Sequence, residues 1–218
     1  MSQDKYTVNG ANIDWNCAGK FNATAGYSPT KAESAIANYA AFLAPVILYF
    51  VMWNKLDWSI LQFAVASFLA LDMVGGVLTN SLGSMKRFLH TNQTLDLNWL
   101  AKLVGSKFLF PAVHFQIFVV PLCFDVTWGY AFFWYGFMMA SIVFIHMLPQ
   151  YIHRPVALLF VMLSIMLSQV AFVGPVGLEW LASFYIIKLV LSHGVREEPY
   201  EAVTADVEAE HQGTIMEK

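Results

Sequence analysis

Residues 108–178 read FLFPAVHFQIFVVPLCFDVTWGYAFFWYGFMMASIVFIHMLPQYIHRPVALLFVMLSIMLSQVAFVGPVGL, and only Asp125 and Arg154 in these 71 positions carry a formal charge. So long an apolar stretch is hard to keep soluble and monomeric, whereas each crossing of a bilayer needs about 20 such residues. The pattern continues on either side of it. Of the 218 residues 58% are apolar and 12% charged, roughly half the charge fraction of an ordinary soluble domain. A water-soluble globule is excluded. The chain reads as all-α, a polytopic integral membrane protein folded as a compact bundle of about six transmembrane helices.

The crossings fall at about 36–53, 58–79, 108–124, 128–148, 156–174 and 176–193. The last two meet at Phe172-Val173-Gly174-Pro175-Val176-Gly177, where a proline and two glycines supply a turn. Residues 1–33 then form a polar segment before the bundle, 34–194 the six-helix domain, and 195–218 an acidic tail. With six crossings both ends lie on one side. That side collects Lys5, Lys20, Lys31, Lys86, Arg87, Lys102, Lys107, Arg154, Arg196 and Lys218, against Lys55 opposite. The positive-inside rule makes it cytoplasmic, so both termini of this multi-pass chain are expected in the cytoplasm. Trp53, Trp58, Trp128, Tyr130, Trp134 and Tyr135 fall toward the other side and read as an aromatic interface belt.

Once the helices are oriented, the intramembrane polar groups gather toward the cytoplasmic side. Asp72 stands in SFLALDMVGGVLTN, His114 in FPAVHFQ, His146 and His153 in FIHMLPQYIHRP, and His193 in KLVLSHGVREEPY; His90 follows the second helix in GSMKRFLH. His211 alone among the six histidines is excluded, in the tail. A carboxylate buried alone is costly, so Asp72 should face the interior and have a cationic, metallic or protonic partner. Neutral imidazoles with an aspartate suit a divalent metal, zinc or iron, with Asp72, His114, His146 and His193 as the expected ligands. Pro149 and Pro155 should redirect the backbone between His146 and His153, which in an unbroken helix would stand about 10 Å apart. Asp72, His90, His153 and Lys188 are the candidate acid, base or charge-stabilising groups. Asn80, Lys86, Arg87 and Gln116 are candidates for a polar or cationic edge that meets a substrate head group. Gly75 and Gly76, just after Asp72, allow a close helix approach or a bend.

These features suggest a membrane-embedded, metal-dependent enzyme acting on a lipid or other apolar small molecule near the cytoplasmic leaflet. Metal-assisted hydrolysis or group transfer with histidine acid–base chemistry asks least of the residues present. A proton- or ion-coupled transporter is the alternative, with Asp72, Lys188 and the histidines binding and releasing the ion. A haem- or di-metal-dependent membrane oxidoreductase is a further alternative. A homo-oligomer is compatible with this reading. The net charge of −3 gives no reason to expect nucleic acid as a partner. No phosphate loop, dinucleotide glycine fingerprint or G-x-S-x-G signature is present. Cys17 and Cys123 are too few for a disulfide framework.

Overall fold

The structure, a computed structural model, describes residues 5–52 and 55–201. The acidic tail beyond them, with His211, and the belt residue Trp53 lie outside the described residues.

The first long helix begins one turn earlier than its apolar run. Thr30 accepts from the Glu33 backbone N–H, and the Glu33 carboxylate accepts from the Thr30 N–H at 2.8 Å. This capping box satisfies two of the donors that a helix start leaves open. α1 spans Lys31–Tyr39 and α2 Leu43–Met52, joined through a 3₁₀ turn at Ala40–Phe42. Pro45 cannot donate to the carbonyl of Ala41, which accounts for the tightened turn there. A second capping box, Ser59 with Gln62, opens α3 at Ile60–Ser81. Leu82 takes an extended conformation, and α4, Gly83–His90, then leaves in a new direction.

Four helical stretches are long and apolar enough to cross a membrane: Lys31–Phe50, Ile60–Ser81, Trp128–Met147 and Gln150–Val170. The remaining two expected crossings are the shorter apolar stretches Leu109–Cys123 and Leu181–His193. The first is divided into α6, Leu109–Ala112, a 3₁₀ turn at Gln116–Val119, and α7, Val120–Cys123, after a short α5 at Trp99–Val104. Pro121 cannot donate to the Ile117 carbonyl, and the turn before it is 3₁₀. The second stretch is α10, Leu181–Ile186, running into a π-helical segment at Ile187–His193. Its thirteen residues reach about 20 Å as an α-helix, short of the roughly 30 Å of a hydrocarbon core. Between these stretches lie α8, Trp128–Met147, and α9, His153–Val170.

The two ends of the bundle are marked by their contacts. At one, Gln62 Nε2 donates to the Cys123 carbonyl, Trp58 meets Phe124, and the Gly177 turn packs on Leu56 and Trp58. Gly177 has φ +90°, a conformation in which a β-carbon would be strained, and Glu179 accepts from its N–H. Part of the expected aromatic belt belongs instead to the core. Trp134 and Tyr130 are buried, with the Trp134 indole N–H on the Phe172 carbonyl, whereas Trp128 is half exposed.

The opposite end carries a folded polar layer built from the N-terminal residues and residues 199–201. β1, Lys5–Val8, and β2, Ala11–Asp14, form an antiparallel hairpin around Asn9-Gly10, both at positive φ. That dipeptide suits a tight hairpin turn. Residues 199–201 then join the second strand: Asp14 N–H donates to the Pro199 carbonyl and Glu201 N–H to the Asn12 carbonyl. Both ends of the described chain are thus fastened together over one end of the bundle. Beneath them Tyr27, Leu82, Met85, Phe88, Leu89 and Ala101 make a second hydrophobic cluster. Gly26, at φ +75°, lets the preceding loop lie directly on α4, since a β-carbon there would fall 2.3 Å from the Ser84 carbonyl oxygen.

Candidate functional site

The expected site residues divide among three environments. In the first, deep in the bundle, Asp72 has a cationic partner. Lys188 Nζ lies 2.8 Å from each carboxylate oxygen, and Gln116 Nε2 donates to Oδ2 at 2.7 Å. The Lys188 side chain is 2% exposed and that of Asp72 27%. Asp72 and Gly76 stand four residues apart on one face of α3, and the lysine stem crosses that face. A β-carbon on Gly76 would fall 2.3 Å from Lys188 Cε. The glycine therefore makes room for the stem, and the π-helical segment carries the ammonium to the carboxylate. Gly75 allows a close helix approach, since a β-carbon there would fall 3.2 Å from Ala41 Cβ.

His114 lies beside this pair in the interruption between α6 and the 3₁₀ turn. Its Nδ1–H donates to the Phe110 carbonyl at 2.6 Å. Tyr185 donates to the His114 carbonyl and Tyr135 to that of Ala112. Backbone freed from a helix inside a bundle must find partners within the protein. Here three side chains supply them, and the two tyrosines were not legible as such because their partner carbonyls are known only once the helix breaks.

In the second environment Lys86 and Arg87 present no open cationic edge. Lys86 is 1% exposed and donates to the Ser192 and Val195 carbonyls, the latter at 2.7 Å, with Glu197 at 3.3 Å. It closes the end of the π-helical segment, where backbone acceptors lack intrahelical donors. Burial lowers its pKa, and the Glu197 charge opposes the shift. Arg87 donates to the Asp14 and Tyr27 carbonyls and so fastens the polar layer to α4. Asn80 is buried, and its Nδ2 has no hydrogen-bond partner among the described residues.

The third environment is a cavity of about 150 Å³ at the bundle end, lined by His90, His146, His153, Lys107 and Arg196 together with Thr91, Asn92, Gln150, Leu89 and Gly194. The turn around Pro149 reverses the chain, so the His146 and His153 rings stand 5.6 Å apart. His146 Nδ1 lies 2.9 Å from the Ile142 carbonyl, and His153 Nε2 lies 2.9 Å from that of Leu148. A carbonyl only accepts, so those nitrogens carry protons, and in a neutral imidazole the other ring nitrogen keeps its lone pair. His90 Nε2 is buried without a partner among the described residues. His193 is not part of the lining. It is buried against Phe110, with Nε2–H on the Val104 carbonyl at 3.0 Å.

Asp72, His114, His146 and His193 therefore do not share a first coordination shell. Among the described residues no three His, Cys, Asp or Glu side chains lie together in a way that could hold a metal ion. The carboxylate is occupied by Lys188 and Gln116, and the imidazoles belong to different surroundings.

Lys107 and Arg196 are the lining residues that the sequence reading counted only as orienting charges. Their signal is positional: Lys107 immediately precedes one apolar stretch and Arg196 follows His193 at the end of another. Arg196 is held against the polar layer, its guanidinium 3.9 Å from the centre of the Trp15 ring.

Burial, followed by the charges of Lys86, His193, Lys107 and Arg196, holds the His90 pKa well below the ordinary imidazole value. The unfolded chain therefore takes up this proton first. The stability tied to neutral His90 is complete above about pH 6.5 and is lost as the pH falls, at up to about 1.4 kcal/mol per pH unit. Melting temperatures between pH 7.5 and 5 are expected to fall less steeply for His90→Gln than for the unaltered protein; parallel curves would contradict this.

No protein-family model, no curated protein and no solved structure matches this chain.

Proposed function

We propose that the chain is a multi-pass membrane enzyme that acts by histidine acid–base chemistry on a lipid or other apolar substrate whose polar end enters the cavity of His90, His146 and His153. The observation that carries this reading is the meeting of three imidazoles from separate elements in one polar cavity at the end of an apolar bundle. A lone-pair nitrogen of His146 or His153 takes the proton of an attacking water or hydroxyl as the new bond to the substrate forms. An imidazole N–H returns a proton to the departing oxygen. Hydrolysis and group transfer both need this pair of steps. The side bearing the cavity is the cytoplasmic one, in keeping with the charge distribution. No metal-bound step enters the proposal, because Asp72, His114 and His193 lie outside the cavity that holds His146.

With the protein reconstituted in vesicles and given a mixed lipid extract, product formation followed by mass spectrometry is expected to fall about 10²–10⁴-fold in His146→Gln and in His153→Gln. Melting temperatures should stay close to that of the unaltered protein. Turnover unchanged by both substitutions, or no turnover of any lipid, would sink the enzyme reading.

A second reading, a proton- or ion-coupled carrier, draws on a different observation, the intramembrane Asp72–Lys188 pair. It calls for flux of the ion across sealed vesicles that contain the protein, lost on removing both charges together.

A further inference from the structure

We infer that the cavity of Lys107 and Arg196 is an oxyanion site for a phosphate group, carried either by a lipid head group or by a free phosphate. The inference rests on the proposed enzymatic reading only for its location, since anion binding requires no turnover. Ten residues line the cavity, and none is Asp or Glu. Two permanent cations face it, and among the described residues neither has an ion-pair partner. That charge of two matches a phosphate monoester near neutral pH, where the second ionisation is largely complete. A volume of about 150 Å³ corresponds to about five waters at roughly 30 Å³ each, room for a tetrahedral oxyanion with part of its hydration.

The Trp15 ring covers the Arg196 guanidinium. Stacking on an aromatic face leaves the in-plane N–H groups able to bind oxygen atoms in a fixed fork. His90 provides the second, independent indication. Its Nε2 is buried and unpartnered, while Lys107 and Arg196 both act on the ring as positive charges. An anion between them would give this nitrogen an acceptor and offset the local positive field. Asn92 and Gln150 add neutral amide donors to the lining, while the Thr91 hydroxyl donates to the Trp15 carbonyl. The larger neighbouring cavity behaves differently. Its walls hold Glu33, Glu197, Glu198 and Glu201 against Lys86, Arg154 and Arg196, so acids outnumber bases there and an anion is not suited.

The test uses the full chain in nanodiscs, first in phosphatidylcholine with inorganic phosphate titrated, then in phosphatidylcholine containing phosphatidic acid. Saturable binding is read by calorimetry in the first case and by lipid retention in the second. Binding in either arm supports the site, and the arm that responds identifies the source of the phosphate. Lys107→Gln is expected to weaken binding at least tenfold. Lys107 is exposed and holds no ion pair among the described residues, so this variant should fold normally. Lys102→Gln, which removes an exposed lysine outside this cavity, should bind as the unaltered protein does. The inference is overturned by absence of binding in both arms, by equal behaviour of the two variants, or by acetate competing as well as phosphate. Phosphate binding without lipid turnover would remove the enzymatic reading and leave the site standing. Turnover without binding in either arm would do the reverse.

Discussion

Asparagine in place of Asp72 is expected to destabilise the bundle by about 3–5 kcal/mol, the range for removing one partner of a buried ion pair. The reason lies in what is left behind. Lys188 Nζ sits 2.8 Å from both Asp72 oxygens, and its side chain is 2% exposed, so an uncompensated ammonium would remain inside the bundle. Partial exposure of the carboxylate, at 27%, favours the lower part of the range. The double variant Asp72→Asn, Lys188→Met is expected to recover most of the loss, because no charge remains and an unbranched side chain still fits across Gly76. Unfolding midpoints in detergent would decide this. A single variant as stable as the unaltered protein, or a double variant no better than the single, would show that the pair does not hold the bundle in this way.

Lys86→Met is expected to cost about 3 kcal/mol, through loss of charge-assisted hydrogen bonds and exposure of unpaired acceptors to an apolar neighbour. The methionine matches the stem of the lysine but cannot donate to the Ser192 and Val195 carbonyls, nor pair with Glu197. Since those groups end the π-helical segment, amide exchange across residues 187–195 should quicken more than exchange in α8. Uniform exchange with an unchanged melting temperature would remove the proposed capping role. Both variants test the same segment from opposite ends, Lys188 from within it and Lys86 from beyond its last turn.

The apolar helices were legible as long continuous runs, and two of the helix starts carry capping boxes at Thr30 and Ser59. The Asn9-Gly10 hairpin was equally written in the chain, but a four-residue strand is a weak signal beside twenty-residue apolar runs. The candidate site was legible only in part. Leg direction alone leads to the expectation that five histidines and Asp72 share one half of the bundle, yet direction does not say which side chains meet. Asp72 met Lys188, a residue 116 positions away, because Gly76 opens a passage on α3. His146 and His153 met each other because Pro149 turns the chain.

What the sequence determined by itself was the environment. Its scarcity of charge and the length of its apolar runs give helices long and apolar enough to cross a membrane, four of them among the described residues, because so much apolar surface is costly to leave in water. What only the tertiary structure decided was the pairing of the few polar groups. A buried charge or imidazole is satisfied by whichever partner the packing brings within about 3 Å. That choice depends on helix breaks, a π-helical segment and a glycine gap, whose effects appear only when the legs are packed together. It gave Asp72 to Lys188 and Lys86 to backbone carbonyls, and it brought three histidines with Lys107 and Arg196 to one cavity.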